Sequence, residues 1–380
     1  MPTVGQYFRG GKVIFNIASL RGKSGPLLSL GGSKFAVMRK EDIPLAPSER
    51  LAAISRSRFA GQRIIDPTLP PIQPSRTYLE TGKIVKIDDL VEAAKKLGAK
   101  SRIVVVGSDS RHITEALKEA HEEGLIGEPI LIKNDDKDAA TEAVKLILNG
   151  QAEILLKGTA STATVMKAVL GSELKDSDLL SFVSLLDIPS RRHNKLTLMT
   201  DTGLWTLPWF FDKKDEKEIR YLFTDQVIKQ KNLLIENALA IARLLGIVTP
   251  KIGLLTTIET PTPRVPETLD TQNISGSDFG EAIVEGPMDF SIAVSPEAAK
   301  TKKWGGRIQG DADILVFPDI NAGNIFYKSV KEWIVGAKIA HIIVGAKVPI
   351  IITSRDDSAK TKLHSIALAL LMAEDRAKSF

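Results

Sequence analysis

The chain has 380 residues, enough for two hydrophobic cores or for one large α/β body carrying an inserted part. It has no cysteine, which excludes disulfides, thiolate metal ligands and a cysteine nucleophile, and its apolar runs fall short of the roughly 20 residues a membrane span requires. The net charge of +5 is uneven: residues 1–80 hold 12 Lys and Arg against 5 Asp and Glu, without interleaved aromatics, a pattern that argues for attraction of a small anion, or plain solvation, over nucleic acid.

Residues 1–83 read as a basic extension. Pro67, Pro70, Pro71 and Pro74 rule out long helices there and favour extended or turn conformations. Val13-Ile14-Phe15 offers an edge strand. The segment is expected to wrap the body or a partner subunit, or to form a tail. Met1 to Gly11 is polar and lacks the apolar centre of a signal peptide, so a cytoplasmic protein is expected.

From about residue 84 the pattern is regular. Ile103 to Val106 is a β-branched run ended by Gly107-Ser108-Asp109, and a helical spacing follows through Leu117 and Ala120. Further short apolar runs lie at Ile130 to Ile132, Ala152 to Leu156, Leu196 to Met199 and Ile252 to Leu255. Others lie at Ile314 to Phe317, Ile342 to Val344 and Pro349 to Ile352. Such runs separated by helical segments indicate an α/β protein, a mostly parallel sheet with helices on both faces. In these sheets ligands gather where strand ends lead into helix N-termini.

Three such loops carry chemistry. The first, Lys157-Gly158-Thr159-Ala160-Ser161-Thr162, sets hydroxyls at a helix start, an arrangement that attracts anions, with Lys157 and Lys167 adding charge. The plain alternative is that Ser161 or Thr162 is only an N-cap. The second, Asp319-Ile320-Asn321-Ala322-Gly323-Asn324, precedes a helix bearing Tyr327 and Lys328. It is equally a well-made Asx turn. The third, Thr353-Ser354-Arg355-Asp356-Asp357-Ser358, joins an apolar strand to a helix with apolar residues at 363, 366, 370 and 371. Its Arg355 offers a fork that matches phosphate oxygens, and its Asp357 a proton acceptor. Asp357 or Ser358 as a helix cap, with Arg355 in a surface ion pair, is the structural alternative.

Other signals are weak. Neither G-x-G-x-x-G nor G-x-x-x-x-G-K-[ST] occurs, and the five histidines show no metal-ligand spacing. No metal is expected.

Taken together, these blocks resemble the phosphate acetyl/butyryltransferase family. The matching text is Gly286-Pro287-Met288-Asp289, Gly310 to Asp319, Ala322-Gly323-Asn324 with Tyr327-Lys328, Gly336-Ala337-Lys338, and Gly345 to Pro349 leading into Thr353 to Ser358. Upstream, Thr200-Asp201-Thr202-Gly203 and the stretch from Glu236-Asn237-Ala238 to Asp270 fit as well, so the resemblance covers roughly residues 85–372. The butyryltransferase-like branch fits better around Ser354.

The resemblance implies a two-domain α/β fold of the isocitrate dehydrogenase type, the second domain inserted in the first and the active site in the cleft between. Domain I would comprise residues 84–181 with 330–380, and domain II residues 182–329. It implies an acyltransferase that moves a short-chain acyl group between coenzyme A, a substrate with no permanently bound cofactor beside it, and inorganic phosphate. A homodimer is usual. Carried over by position, Ser354 and Arg355 are the active-site pair, with Asp357 the nearest candidate base. Thr159, Ser161, Thr162, Lys167 and Ser358 fall on the phosphate side, and Asp319, Asn321, Gly323, Asn324 and Lys328 on the cleft and coenzyme A side. The family often has His at 161 and Arg at 167, and its acetyl branch has an acidic residue where Thr361 stands. These departures leave an alternative: a diverged member that binds acyl-CoA or a protein partner without turnover.

Overall fold

The computed structural model describes the short strands at 8–9, 12–13, 28–30 and 33–35, and residues 84–98, 101–189, 195–206, 210–212, 217–219 and 225–378. Residues 1–70 and 71–380 form two compact units. In the first, Phe8–Arg9 pairs antiparallel with Lys12–Val13, and Leu28–Leu30 with Ser33–Phe35. The proline cluster at 67–74, the Ile14-Phe15 pair and the course of the extension lie outside the described residues.

The second unit is built on one sheet. Its strands are β1 (Ile103–Val106), β2 (Ile130–Ile132), β3 (Ile154–Lys157), β4 (Ser181–Asp187), β5 (Thr197–Thr200), β6 (Lys251–Leu255), β7 (Ile283–Met288), β8 (Ile314–Val316), β9 (Lys338–Val344) and β10 (Ile350–Ile352). They lie in the order β7-β6-β8-β5-β4-β9-β10-β3-β1-β2. Pairing is parallel through β7-β6-β8-β5 and again through β10-β3-β1-β2. Between these halves β4 runs antiparallel to both β5 and β9, and β9 antiparallel to β10. The mostly parallel α/β expectation therefore holds, with an antiparallel seam at β4 and β9.

Strand alternation explains how the sheet buries both faces. Ile103 and Val105 of β1 join one apolar cluster with Ile154, Leu156 and Ile351. Their neighbours Val104 and Val106 join another with Leu155, Ile350 and Ile352. Because successive side chains point to opposite faces, a continuous apolar run serves two cores at once. The first face is covered by α1 (Ile87–Lys95), α2 (Arg111–Glu122), α5 (Asp225–Leu244) and the C-terminal α10 (Ala359–Lys378). Residues 362–372 of α10 are all buried, including the predicted Leu363, Ile366, Leu370 and Leu371. The second face carries α3 (Lys137–Leu148) and α4 (Thr162–Leu170) on one half. The other half carries α7 (Phe290–Val294), α8 (Pro296–Thr301) and α9 (Ile320–Trp333).

Two strands of this sheet escape the sequence reading. β4 interleaves Ser181 and Ser184 with apolar residues, and β7 contains Gly286-Pro287. Proline is tolerated in β7 because that strand is the sheet edge, where one side of the backbone has no ladder partner.

Candidate active site

Strand ends set the stage, and the three polar loops meet there. After β3, Gly158 lies so close to the end of β1 that an added Cβ would sit 1.9 Å from the Gly107 carbonyl oxygen. Only glycine fits that approach, and it lets the Thr159 amide donate to Gly107 O at 2.7 Å. Ser161 Oγ then accepts from the Thr164 amide at 3.0 Å and caps α4. Thr162 opens the helix. The buried Lys157 turns back into the loop and donates to Gly158 O at 3.0 Å and Ala160 O at 3.2 Å.

After β8, Asp319 accepts from the amides of Asn321 (2.7 Å) and Ala322 (3.1 Å) and caps α9. Asn321 itself is exposed. A Cβ on Gly323 would lie 2.3 Å from Asp201 O, so the first turn of α9 rests directly on the loop that follows β5. Asn324 Nδ2 donates to Thr202 O at 2.9 Å. That loop is itself fixed by the buried Asp201, which accepts from the amides of Phe182, Gly203 and Leu204.

The turn after β10 joins both. Arg355 Nη2 donates to Thr159 O at 3.3 Å, linking it to the first loop. Lys328 Nζ, one turn beyond Asn324 on α9, donates to Ser354 Oγ at 3.1 Å, linking it to the second. Ser354 Oγ in turn donates to Asp356 Oδ1, which also pairs with Lys328 (3.2 Å) while Oδ2 pairs with Lys331 (2.7 Å). The Lys331 and Ser354 hydrogen bonds hold the Asp356 carboxyl well below the usual carboxylate range. Ser358 Oγ accepts from the Thr361 amide at 3.1 Å, as a helix cap does.

Asp357, read from the sequence as a candidate proton acceptor or a helix cap, is 0% exposed. Its Oδ2 accepts from the Ser354 amide at 2.6 Å, and its Oδ1 accepts from the Tyr327 hydroxyl at 2.5 Å and lies 3.2 Å from Lys331 Nζ. A carboxylate so enclosed organises the turn. The acid that faces the Ser354 hydroxyl is its neighbour Asp356.

Lys167, expected on the phosphate side, stands farther along the helix. It is exposed in the last turn of α4, roughly 7 Å along the helix from Thr162 at 1.5 Å per residue. The cation the fold gives the first loop is Lys157, and burial, with the Arg355 charge adding to it, pushes its ammonium down to about 8. Sequence reasoning missed Lys331, Lys362 and His341 as parts of the site. Lys362 is buried in α10 and donates to Asp357 O (2.6 Å) and Ser354 O (3.3 Å), bridging the two ends of the turn. An isolated lysine or histidine carries no signal of what it will face.

Arg355, Lys328 and Lys331 thus lie around the turn, with the buried Lys157 beneath the first loop, a cationic arrangement suited to a small polyanion. Among the described residues no His, Cys, Asp and Glu group could hold a metal ion, and no helix is long and apolar enough to cross a membrane.

Comparison with known proteins agrees with this chemistry. A family model for phosphate acetyl/butaryl transferase matches residues 133–370. The phosphate butyryltransferase of Clostridium acetobutylicum is 32% identical, the match covering 76% of this chain and 90% of that protein. The phosphate acetyltransferase of Thermotoga maritima is 29% identical, over 76% of this chain and 99% of that protein. Among solved structures, a branched-chain phosphotransacylase from Enterococcus faecalis is similar at 32% identity, with a TM-score of 0.60, covering 72% of this chain and 99% of that one. A phosphotransacetylase from Streptococcus pyogenes shares the fold at 18% identity and a TM-score of 0.59, over 76% of this chain and 99% of that one.

Proposed function

The chain belongs to the phosphate acetyl/butyryltransferase family, and on that premise we propose that its three-loop site exchanges a short-chain acyl group between coenzyme A and inorganic phosphate. The observation that carries the reading is the convergence at Ser354 and Arg355: Arg355 reaches the Thr159 loop while Lys328 holds the Ser354 hydroxyl.

The chemistry follows from these groups. A phosphate oxygen attacks the thioester carbonyl, the C–O bond forms, the C–S bond breaks, and the thiolate leaves and takes a proton from solvent. A coenzyme A thiol resembles a cysteine thiol with a pKa of about 8.5, so its thiolate departs without a strong acid. Arg355 holds the phosphate dianion, the buried Lys157 adds its charge from beneath the first loop, and Lys328, beside the Ser354 hydroxyl, faces the carbonyl oxygen as charge builds on it. With no cysteine in the chain, a cysteinyl thioester is excluded, and direct transfer in a ternary complex is the simplest route. Thr159 and Thr162 serve the phosphate side. Asp319, Asn321, Gly323 and Asn324 shape the coenzyme A side. Ser161 and Ser358 contribute as caps that aim their helix N-termini at the site.

We propose a division of this unit into residues 84–181 with 330–380 and residues 182–329, a reading favoured by its two parallel half-sheets. We further propose a cytoplasmic homodimer.

The test is release of free thiol by the purified full chain given phosphate with acetyl-, propionyl- or butyryl-CoA. Turnover with at least one donor is expected. Silence with all three defeats the reading, and tight acyl-CoA binding without turnover would favour a non-catalytic binding role. A second expectation concerns Lys157. Its ammonium assists phosphate only while protonated, so kcat/KM for phosphate should fall as pH rises through about 8. Lys157→Met should lower that constant about tenfold at pH 7, the scale of one charge-assisted hydrogen bond, and erase the alkaline fall. An unchanged alkaline limb in the variant removes Lys157 from phosphate binding.

A further inference from the structure

A chain of buried polar groups runs beneath the site. Thr202 Oγ1 and Ser184 Oγ lie 2.8 Å apart, and Ser184 Oγ lies 2.8 Å from His341 Nδ1. The other ring nitrogen, Nε2, is buried, has no hydrogen-bond partner among the described residues, and lies 3.8 Å from Asp357 Oδ2. Asp357 Oδ2 accepts from the Ser354 amide. The ring is clamped edge-on by Tyr327, with centroids 4.8 Å apart, and on another side by Phe182 at 5.2 Å.

Electrostatics chooses the direction of this chain. A neutral imidazole carries its hydrogen on one nitrogen only. With hydrogen on Nδ1, Nε2 would present a lone pair to the Asp357 carboxylate in a site walled from water. With hydrogen on Nε2, the ring offers a donor to that carboxylate, Nδ1 accepts from the Ser184 hydroxyl, and Ser184 accepts from Thr202. Every donor then points towards Asp357. Asp357 accepts from Ser354 N–H and Tyr327 O–H and lies 3.2 Å from Lys331 Nζ, and His341 Nε2 faces Oδ2 from 3.8 Å. Bonds aligned in one direction polarise and strengthen one another.

We propose that His341, in its Nε2–H form, is a positioning residue that ends this one-way chain from Thr202 and turns its N–H dipole towards the Asp357 carboxylate 3.8 Å away, thereby setting where Ser354 stands. The proposal rests on the acyl-transfer reading above. It makes the site a closed circuit. Thr202 O is held by Asn324, Asn324 shares α9 with Lys328, Lys328 holds Ser354, and Ser354 returns through Asp357, His341 and Ser184 to Thr202. The loop after β5 and the turn after β10 are registered to one another from below as well as across α9.

Two variants separate positioning from packing. Gln places an amide N–H near the location of Nε2, whereas Asn places its amide near Nδ1 and leaves Asp357 without the donor. His341→Gln is expected to retain kcat within about threefold. His341→Asn is expected to lose about a hundredfold in kcat, the scale of a small misplacement of a reacting group, with KM for both substrates within about twofold. Nitrogen-15 NMR of the histidine-labelled wild-type chain should show Nε2 protonated and Nδ1 bare. A protonated Nδ1 overturns the proposal, and so do Gln and Asn variants whose kcat falls only in step with their loss of Tm. If the wild-type chain itself shows no turnover, the functional reading fails, and the ring's tautomer still decides whether the chain of bonds exists.

Discussion

Arg355→Gln is expected to lower kcat/KM for phosphate by about 10²–10³-fold, roughly 3–4 kcal/mol of transition-state stabilisation, while Tm moves by no more than about 2 °C. The two effects separate because Arg355 is exposed and is tied to the protein by a 3.3 Å bond to Thr159 O. Losing such a contact at the surface alters stability by a few tenths of a kcal/mol. The guanidinium carries five donors, and one bond leaves most of its fork for a phosphate. Arg355→Lys sharpens the test. It keeps the charge but replaces the planar fork with a point donor, so it should recover part of the Gln loss and no more. Steady-state kinetics with phosphate varied at saturating acyl-CoA, beside thermal unfolding of the same samples, decides the matter. A Gln variant with wild-type KM for phosphate and a kcat that follows only its Tm would remove Arg355 from the reaction.

The sequence carries the layer architecture well because parallel strands advertise themselves. Ile103–Val106 and Ile350–Ile352 are apolar at every position, since both of their faces are cores. It carries β4 poorly for the opposite reason. Ser184 breaks the apolar run, yet in the fold it is a buried link between Thr202 and His341. The polarity that hides the strand is the polarity the site uses. Loop identity was legible too: the turn after β10 reaches the first loop through Arg355 and α9 through Ser354. Their partners were not, because Arg355 and Thr159 stand 196 positions apart and local spacing says nothing about such pairs. The enclosure of Asp357 has the same origin. Adjacent residues in a turn point different ways, and only the packing of Tyr327 and His341 shows which carboxylate is enclosed.

Asp357→Ala should be the most destabilising change in the site, costing about 3–5 kcal/mol at pH 7, as removal of one member of a buried charged set does. The substitution strands the Tyr327 hydroxyl and the Ser354 amide, and leaves Lys362 a buried cation without its nearby carboxylate. Asp357→Asn keeps the shape but turns one acceptor into a donor facing other donors, so about 1–3 kcal/mol is expected. Acid should reveal the charge. Burial works against ionisation of Asp357, but the facing His341, the Tyr327 hydroxyl and the Ser354 amide outweigh it and hold the carboxyl below its ordinary value. A carboxylate lowered in the folded state contributes stability that is present above an unfolded value of about 3.9 and is lost as pH falls through the folded one. Burial also holds His341 down at about 4, against about 6.5 when unfolded. The unfolded chain therefore takes up that proton first, and the native protein should shed roughly 3 kcal/mol between pH 6.5 and 4 on this account. That slope belongs to the imidazole and should persist in Asp357→Ala. The gap between wild type and Asp357→Ala should instead stay wide down to about pH 4 and narrow below it. Urea unfolding at pH 7, 5 and 3.5 measures both quantities. A gap under about 1 kcal/mol at pH 7, or one that stays constant into acid, would show that the Asp357 charge does not hold the turn.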